Sequence, residues 1–381
     1  MLNKQKIELE FPYHIIDGVA GEFARLYSSH MESPIEFLYI SFLTCLGCVL
    51  ADRLTLNTEI EPQPRLYVVI LGESADDRKS TAIKKTMELF EDKLEYCLGV
   101  GSAEGLQKQL QKNNQLLLVF DEFKQFVSKS SIDSSVLLPC VNTLFELNNY
   151  ESHTKSSSIN VDNAYLSMLS ASTVETYERT WDASFTDIGF NNRLFLVPAN
   201  GTKKFSIPPV ISDDAKRQIS SQIGEIIGFV GRGMRLTIEP EALRTYDDWY
   251  MNLPKSEHAK RLDTYALRFM ALLAVNERKK VVDLITVQRA IFLMDWELGV
   301  RRLYDPIDAD SAIAKMEEKI RRQLENRGSL TDRDLKRFCN ARKSGYWVYN
   351  KALENLLEAG EITYVSNSST SKTWSLEEEV S

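Results

Sequence analysis

The chain has 381 residues, 43% hydrophobic and 26% charged. That is ordinary globular usage and excludes a disordered tail, a collagen and a disulfide scaffold. The formal charge is −8, from 46 basic against 54 acidic residues, so a uniformly polybasic surface is excluded while a segregated basic patch is not.

Five cysteines in a chain of this length fit reduced thiols. Cys45 and Cys48 form a CxxC inside an apolar run and read as core packing, and the four histidines show no metal-ligand spacing. The run from Phe37 to Ala51 is broken by Ser41, Thr44 and Gly47 and is shorter than the ~20 residues that cross a bilayer. The opening segment MLNKQKIELE has no apolar signal core. The expectation is a cytoplasmic protein without membrane partners.

Residues 1–60 read as a helical lead-in, in which Pro34 opens the apolar helix IEFLYISFLTCLGCVLA and RLTLNTEI alternates like a strand. Residues 61–210 read as an α/β core. Leu66 to Leu71 form a continuous apolar run ended by Gly72, as a strand covered on both faces requires. A polar loop follows, then a helix predicted over Ser80–Tyr96, a short helix from Gly101 and a second buried strand, LLLVFDEF. AYLSMLSAS and NNRLFLVP supply two further strands, and ESHTKSSSIN reads as an exposed loop or hairpin. Strands alternating with helices argue for a parallel βαβ architecture. Residues 211–305 read as a helical lid and 311–381 as a separate module.

The strand–loop–helix at Gly72 has the layout of a phosphate-binding P-loop. Gly72 is followed by five residues and then Arg78, Lys79, Ser80 and Thr81, so the loop is one residue longer than the usual spacing and Arg78 stands at the second glycine. Lys79 would sit at a helix N-terminus, where phosphate is favoured, and Ser80 would offer a hydroxyl to Mg²⁺. Against this, a side chain at the second glycine restricts the backbone near the phosphates. Forty-two residues beyond Lys79, the strand LLLVF ends in Asp121 and Glu122. Two adjacent acids there suit an ATPase, Asp121 holding Mg²⁺ through water and Glu122 positioning the attacking water.

Ser172 ends the third strand and is a candidate contact to the γ-phosphate or the water; a capped strand end fits it equally. Arg193, just before the fourth strand, is placed to reach a neighbouring subunit's nucleotide, with a surface ion pair as the alternative. Arg261 and Arg268 lie on one face of the helix RLDTYALRFMALLAV, and either could report nucleotide state.

The RKST loop, GSAEGLQKQL, LLLVFDEF, LSMLSAST and GFNNRLFLVP resemble, in that order, the phage- and plasmid-borne helicase-like proteins catalogued as a family associated with primase–helicases. The segment VQRAIFLMDWELGVRRL adds to this, and the resemblance covers about residues 10–305. The order is also similar to the AAA+ core of the minichromosome-maintenance helicases. That resemblance implies ATP and Mg²⁺ as cofactors, Arg193 as an arginine finger and Arg261 rather than Arg268 as the sensor 2 arginine. It also implies a homo-oligomer, a hexameric ring, that unwinds or translocates on single-stranded or forked DNA in replication of a mobile element. An ATP switch that initiates, loads or regulates without sustained unwinding is the alternative. The lengthened loop, Arg78 and Ser172 in place of asparagine depart from the pattern and bear on hydrolysis.

In the C-terminal module an amphipathic helix (Ser311–Arg327), a short helix begun by Thr331, a longer helix (Ser344–Ala359) and a ribbon of EITYV and KTWSL follow the winged-helix pattern. From Lys319 to Lys351 ten basic residues face three acids, a segregation suited to phosphate neutralisation. Arg337, Arg342, Lys343, Tyr346 and Lys351 are the candidate DNA contacts, with Tyr349 nearby; protein binding is the alternative. Trp347 and Trp374 read as core. A DNA-contacting hairpin is sought at residues 148–160, where Lys155 is the one basic residue.

Overall fold

The computed structural model describes residues 9–73, 77–131, 135–153, 158–181, 189–305, 312–368 and 371–377, and it is mixed α/β. Two helices open the fold, α1 (Gly18–His30) and α2 (Ile35–Val49). Asp17 caps α1 by accepting from Gly18 N at 2.9 Å. Every residue of α2 from Glu36 to Val49 is buried. A helix with no polar face must be enclosed on all sides. Here α1 and α3 (Lys79–Glu88) pack on it, and so do the central strands of the sheet.

After the short β1 (Leu54–Leu56) comes β2 (Tyr67–Gly72), then α3. The core continues through β3 (Tyr96–Leu98), α4 (Ala103–Lys112), β4 (Gln115–Phe120), α5 (Phe123–Ser130) and α6 (Leu137–Thr143). It closes with β5 (Tyr150–His153), β6 (Ser158–Val161), β7 (Tyr165–Thr173), α7 (Val174–Thr180) and β8 (Phe195–Pro198). Five strands form one sheet in the order β3-β4-β7-β2-β8, and every pairing in it is parallel. β7 therefore lies between β2 and β4, with Val69 opposite Ser170 and Phe120 opposite Ser170 from the other side.

One sequence expectation changes here, and the hairpin reading of ESHTKSSSIN holds. The helix predicted over Ser80–Tyr96 stops at Glu88, and the edge strand β3 follows. Tyr96 and Leu98 point to solvent, so β3 has no apolar run by which sequence periodicity would reveal it. The Ser- and Asn-rich stretch is an antiparallel hairpin of β5 and β6, with Tyr150 opposite Val161. Lys155 lies outside the described residues.

The helices α8 (Asp213–Val230), α9 (Pro240–Met251), α10 (Leu262–Asn276) and α11 (Leu284–Tyr304) follow, with the short strands β9 (Met234–Ile238) and β10 (Val281–Val282). β1 pairs in parallel with β9, Leu54 opposite Met234, and β10 completes this second sheet. Asn276 adds a second tie: its Oδ1 accepts from Ala20 N and its Nδ2 donates to Asp17 O, both at 2.8 Å. Most of the residues read separately as lead-in (1–60), core (61–210) and lid (211–305) fall in one compact unit, 11–298, while 299–305 belong to the second.

Among the described residues, the second unit comprises 9–10, 299–305, 312–368 and 371–377. Its helices are α12 (Ala312–Arg327), α13 (Asp332–Phe338), α14 (Ala341–Ser344) and α15 (Tyr346–Glu358). β11 (Leu330–Thr331), β12 (Ile362–Ser368) and β13 (Ser371–Leu376) form an antiparallel sheet in the order β11-β13-β12. Thr331 caps α13 through its Oγ1, which accepts from Asp334 N at 3.2 Å.

The helix expected over Ser344–Ala359 is interrupted at Gly345, whose φ of +92° suits glycine. Tyr349, Ala352, Leu353 and Leu356 then form the buried stripe of α15. Trp347 precedes Tyr349 by two residues, about 200° around the helix, and faces water instead of joining the core. Tyr349, expected near the surface contacts, is buried, while Trp374 is core as expected. Among the described residues no helix is long and apolar enough to cross a membrane.

Gly47 offers a test of the α2–sheet packing. A Cβ there would collide with the carbonyl oxygen of Pro64, a backbone atom that cannot rotate away. Alanine is the better helix former by about 1 kcal/mol, but overpacking costs about 1–3 kcal/mol. Gly47→Ala is therefore expected to lower the melting temperature by several degrees in a thermal melt followed by circular dichroism. A rise would mean that the segment before β2 yields freely.

Candidate functional site

The groups singled out after β2, β4 and β7 meet at the carboxyl ends of adjacent parallel strands, where open α/β sheets bind ligands. Gly72 ends β2. A Cβ on it would come within 2.6 Å of Asp77 Oδ2, so glycine is required here by the close approach of Asp77. The buried Asp77 carboxylate accepts from the backbone N–H of Glu73 through Oδ2 and from that of Gly201 through Oδ1. It ties the lengthened loop both to its own beginning and to the segment beyond β8.

Arg78 is the N-cap of α3 in the left-handed region, φ +49°, where a glycine would be unstrained. Its guanidinium pairs with Glu32, with Nε at 3.2 Å and Nη2 at 3.1 Å from Oε2. Its carbonyl accepts from Ser33 Oγ at 3.3 Å. Glu32 Oε1 accepts from Lys204 N at 3.1 Å. The Lys204 N–H first and the Arg78 side chain second hold the Glu32 carboxyl below its ordinary pKa.

Lys79 begins α3, and its Nζ donates to Glu73 O at 2.5 Å. Burial lowers its pKa, and the carboxylates of Asp77, Glu122, Asp121 and Glu73 oppose that shift. The ammonium therefore stands in the field of both acids that follow β4. Ser80 and Asp121 line one cavity of about 500 Å³ beside α3, with Gln125, Glu88 and Glu91. Thr81 follows in the first turn of α3, half-buried. Glu122 is the N-cap residue of α5, and its Oε1 accepts from Ser172 Oγ at 3.3 Å.

The three candidate arginines lie elsewhere. Val68 pairs with Phe195, so Arg193 sits at the amino end of the sheet. The loop after Gly72 leaves the opposite end, and β2 separates the two by roughly 20 Å. Arg193 Nη1 donates to Gly189 O at 2.9 Å, and its carbonyl accepts from Tyr265 OH at 2.6 Å. Arg261 is the left-handed N-cap of α10 and forms an ion pair with Glu146. Arg268 is fully enclosed, donating to Arg65 O at 2.7 Å and Phe145 O at 2.6 Å. All three guanidiniums gather on the ring of Phe145, with Arg268 at 4.0 Å, Arg261 at 5.8 Å and Arg193 at 6.0 Å from its centroid. Burial lowers the pKa of each.

In the C-terminal unit several basic candidates are locally paired. Lys351 Nζ lies 2.7 Å from Glu354, Lys336 Nζ 2.6 Å from Asp332, and Arg337 Nη2 3.3 Å from Asp334. Such surface pairs hold only about 0–1 kcal/mol each. Arg342, Lys343 and Tyr346 are exposed around the α14–α15 junction.

Sequence reasoning missed Asp77, Glu32 and Phe145. The extra loop residue was a signal for Asp77. Glu32 and Phe145 carry none, because their roles depend on distant backbone. Asp77→Ala leaves two N–H groups without their carboxylate, a loss of about 1–3 kcal/mol in unfolding free energy, and Asp77→Asn a smaller one, both measured by urea denaturation. A neutral Asp77→Ala would show that water replaces the carboxylate. No protein-family model and no curated protein matches the chain.

Proposed function

We propose that the chain is an AAA+-like P-loop ATPase with a C-terminal winged helix, acting as a ring-forming, ATP-dependent DNA helicase or translocase. The observation that carries this is the insertion of β7 between β2 and β4. It sets Lys79, Asp121, Glu122 and Ser172 at neighbouring strand ends, and a central strand in that place is what an AAA+ core has. The family resemblance and the expected replication role belong to the same proposal.

Ser80 follows Lys79 at the start of α3 and Asp121 follows β4, and both line one cavity; Mg²⁺ takes few protein oxygens together with waters and phosphates, so a hydroxyl and a carboxylate suit that ion with ATP. When bound, the ion neutralises charge on the transferring phosphoryl group. Lys79, a half-buried cation at the start of α3, holds the β- and γ-phosphate oxygens. Glu122, oriented by Ser172, holds the attacking water. Gly72 leaves room for Asp77, which braces the loop. Arg193 is a strand length from Lys79 in the same subunit, so it serves the nucleotide of a neighbour, with Arg261 beside it. Arg337, Arg342, Lys343, Tyr346 and Lys351 would meet DNA, the cations on its phosphates.

The test is steady-state ATP hydrolysis with and without single-stranded DNA. Wild type is expected to show DNA-stimulated turnover, and Lys79→Ala and Arg193→Ala each to lose about 10³-fold or more. Mixing the two variants should restore turnover that neither has alone, because a mixed interface combines an intact Lys79 with an intact Arg193. Binding without hydrolysis in wild type would sink the motor and leave the ATP switch. Absence of nucleotide binding would overturn the phosphate-loop assignment.

A further inference from the structure

Trp347 is 71% exposed and Tyr346 53%. Tryptophan is on average a well-buried residue, so this much exposure requires an explanation. One turn along α15 from Trp347 stand Asn350 and Lys351, and just before it stand Arg342, Lys343 and Ser344. From Leu335 to Leu353 the chain carries five cations, Lys336, Arg337, Arg342, Lys343 and Lys351, and no acid. Lys336, Arg337 and Lys351 pair with Asp332, Asp334 and Glu354. Arg342 and Lys343 adjoin the two aromatics in the chain. Gly345, at φ +92°, makes the turn that sets the first residues of α15 directly after those cations.

Exposed aromatic rings directly after two cations match nucleic acid, whose bases stack on such rings while its phosphates take the charges. A stacking ring needs the open face of a base, which a paired base inside a duplex does not offer. We propose that Trp347, with Tyr346, is a base-stacking platform for unpaired nucleotides of single-stranded DNA, with Arg342 and Lys343 on the flanking phosphates. This deepens the DNA-binding reading of the C-terminal unit and rests on it.

The test uses the full chain and fluorescence anisotropy of a labelled single-stranded oligonucleotide and of a blunt duplex of equal length. Trp347→Ala is expected to weaken single-strand binding about tenfold or more. It should leave the salt dependence and the duplex affinity unchanged, and Trp347→Phe should retain most of the affinity. Arg342→Ala with Lys343→Ala should instead weaken both DNAs and reduce the salt slope, by about one for each phosphate that is no longer neutralised. If Trp347→Ala binds like wild type while the arginine–lysine variant is weakened, the platform is overturned and the DNA-binding reading stands. Equal weakening on single strand and duplex by Trp347→Ala also overturns it, in favour of a duplex contact. If wild type binds neither DNA, the underlying reading fails, and Trp347 is left to a protein partner. Trp347 faces water, so both substitutions are expected to fold, and an unchanged circular dichroism spectrum checks this.

Discussion

Everything at the candidate nucleotide site depends on one pairing, that of β7 with β2 on one side and β4 on the other. Strand pairing in a parallel sheet fixes which carboxyl ends are neighbours, and with them which loops meet. Because β7 intervenes, Ser172 comes within hydrogen-bonding distance of Glu122, and Lys79 stands in the field of acids some forty residues further along the chain. A sheet with β2 directly against β4 would bring the same loops together without Ser172. The enclosed helix α2 supports this arrangement from one face, and its lack of any polar side means that it cannot shift without exposing apolar surface.

The lengthened loop after β2 solves a local problem in an unusual way. A lengthened loop has more conformations to lose on folding, and here a carboxylate within the loop supplies the acceptor for two backbone donors. Arg78 takes the left-handed position without glycine's freedom, and its ion pair with Glu32 and the hydrogen bond from Ser33 hold it there. These interactions replace part of what a second glycine would contribute by flexibility alone.

Much of this was legible in the sequence because burial leaves a direct trace. Runs such as Leu66–Leu71 and LLLVF announce covered strands, and the acids after LLLVF stand out against them. The edge strand β3 was not legible, because its side chains face water and its order comes from pairing with β4. Trp347 misled for the opposite reason: its chemistry suggests burial, but the phase of α15 is set by Tyr349, Ala352, Leu353 and Leu356. The gathering of Arg193, Arg261 and Arg268 on Phe145 required tertiary structure, since no spacing rule links a ring in one loop to cations from two later segments.

The parallel pairing of β1 with β9 also has a consequence for how the molecule is made. Leu54 and Met234 are 180 positions apart, and β1 has no partner in its sheet until β9 has been synthesised. At about 5–20 residues per second, a ribosome takes roughly 10–40 s to cover that interval. The central sheet can assemble during that time, so the β1–β9–β10 sheet is a late event in biogenesis. Its three-residue β1 leaves only a short edge waiting, which limits the opportunity for pairing with another nascent chain.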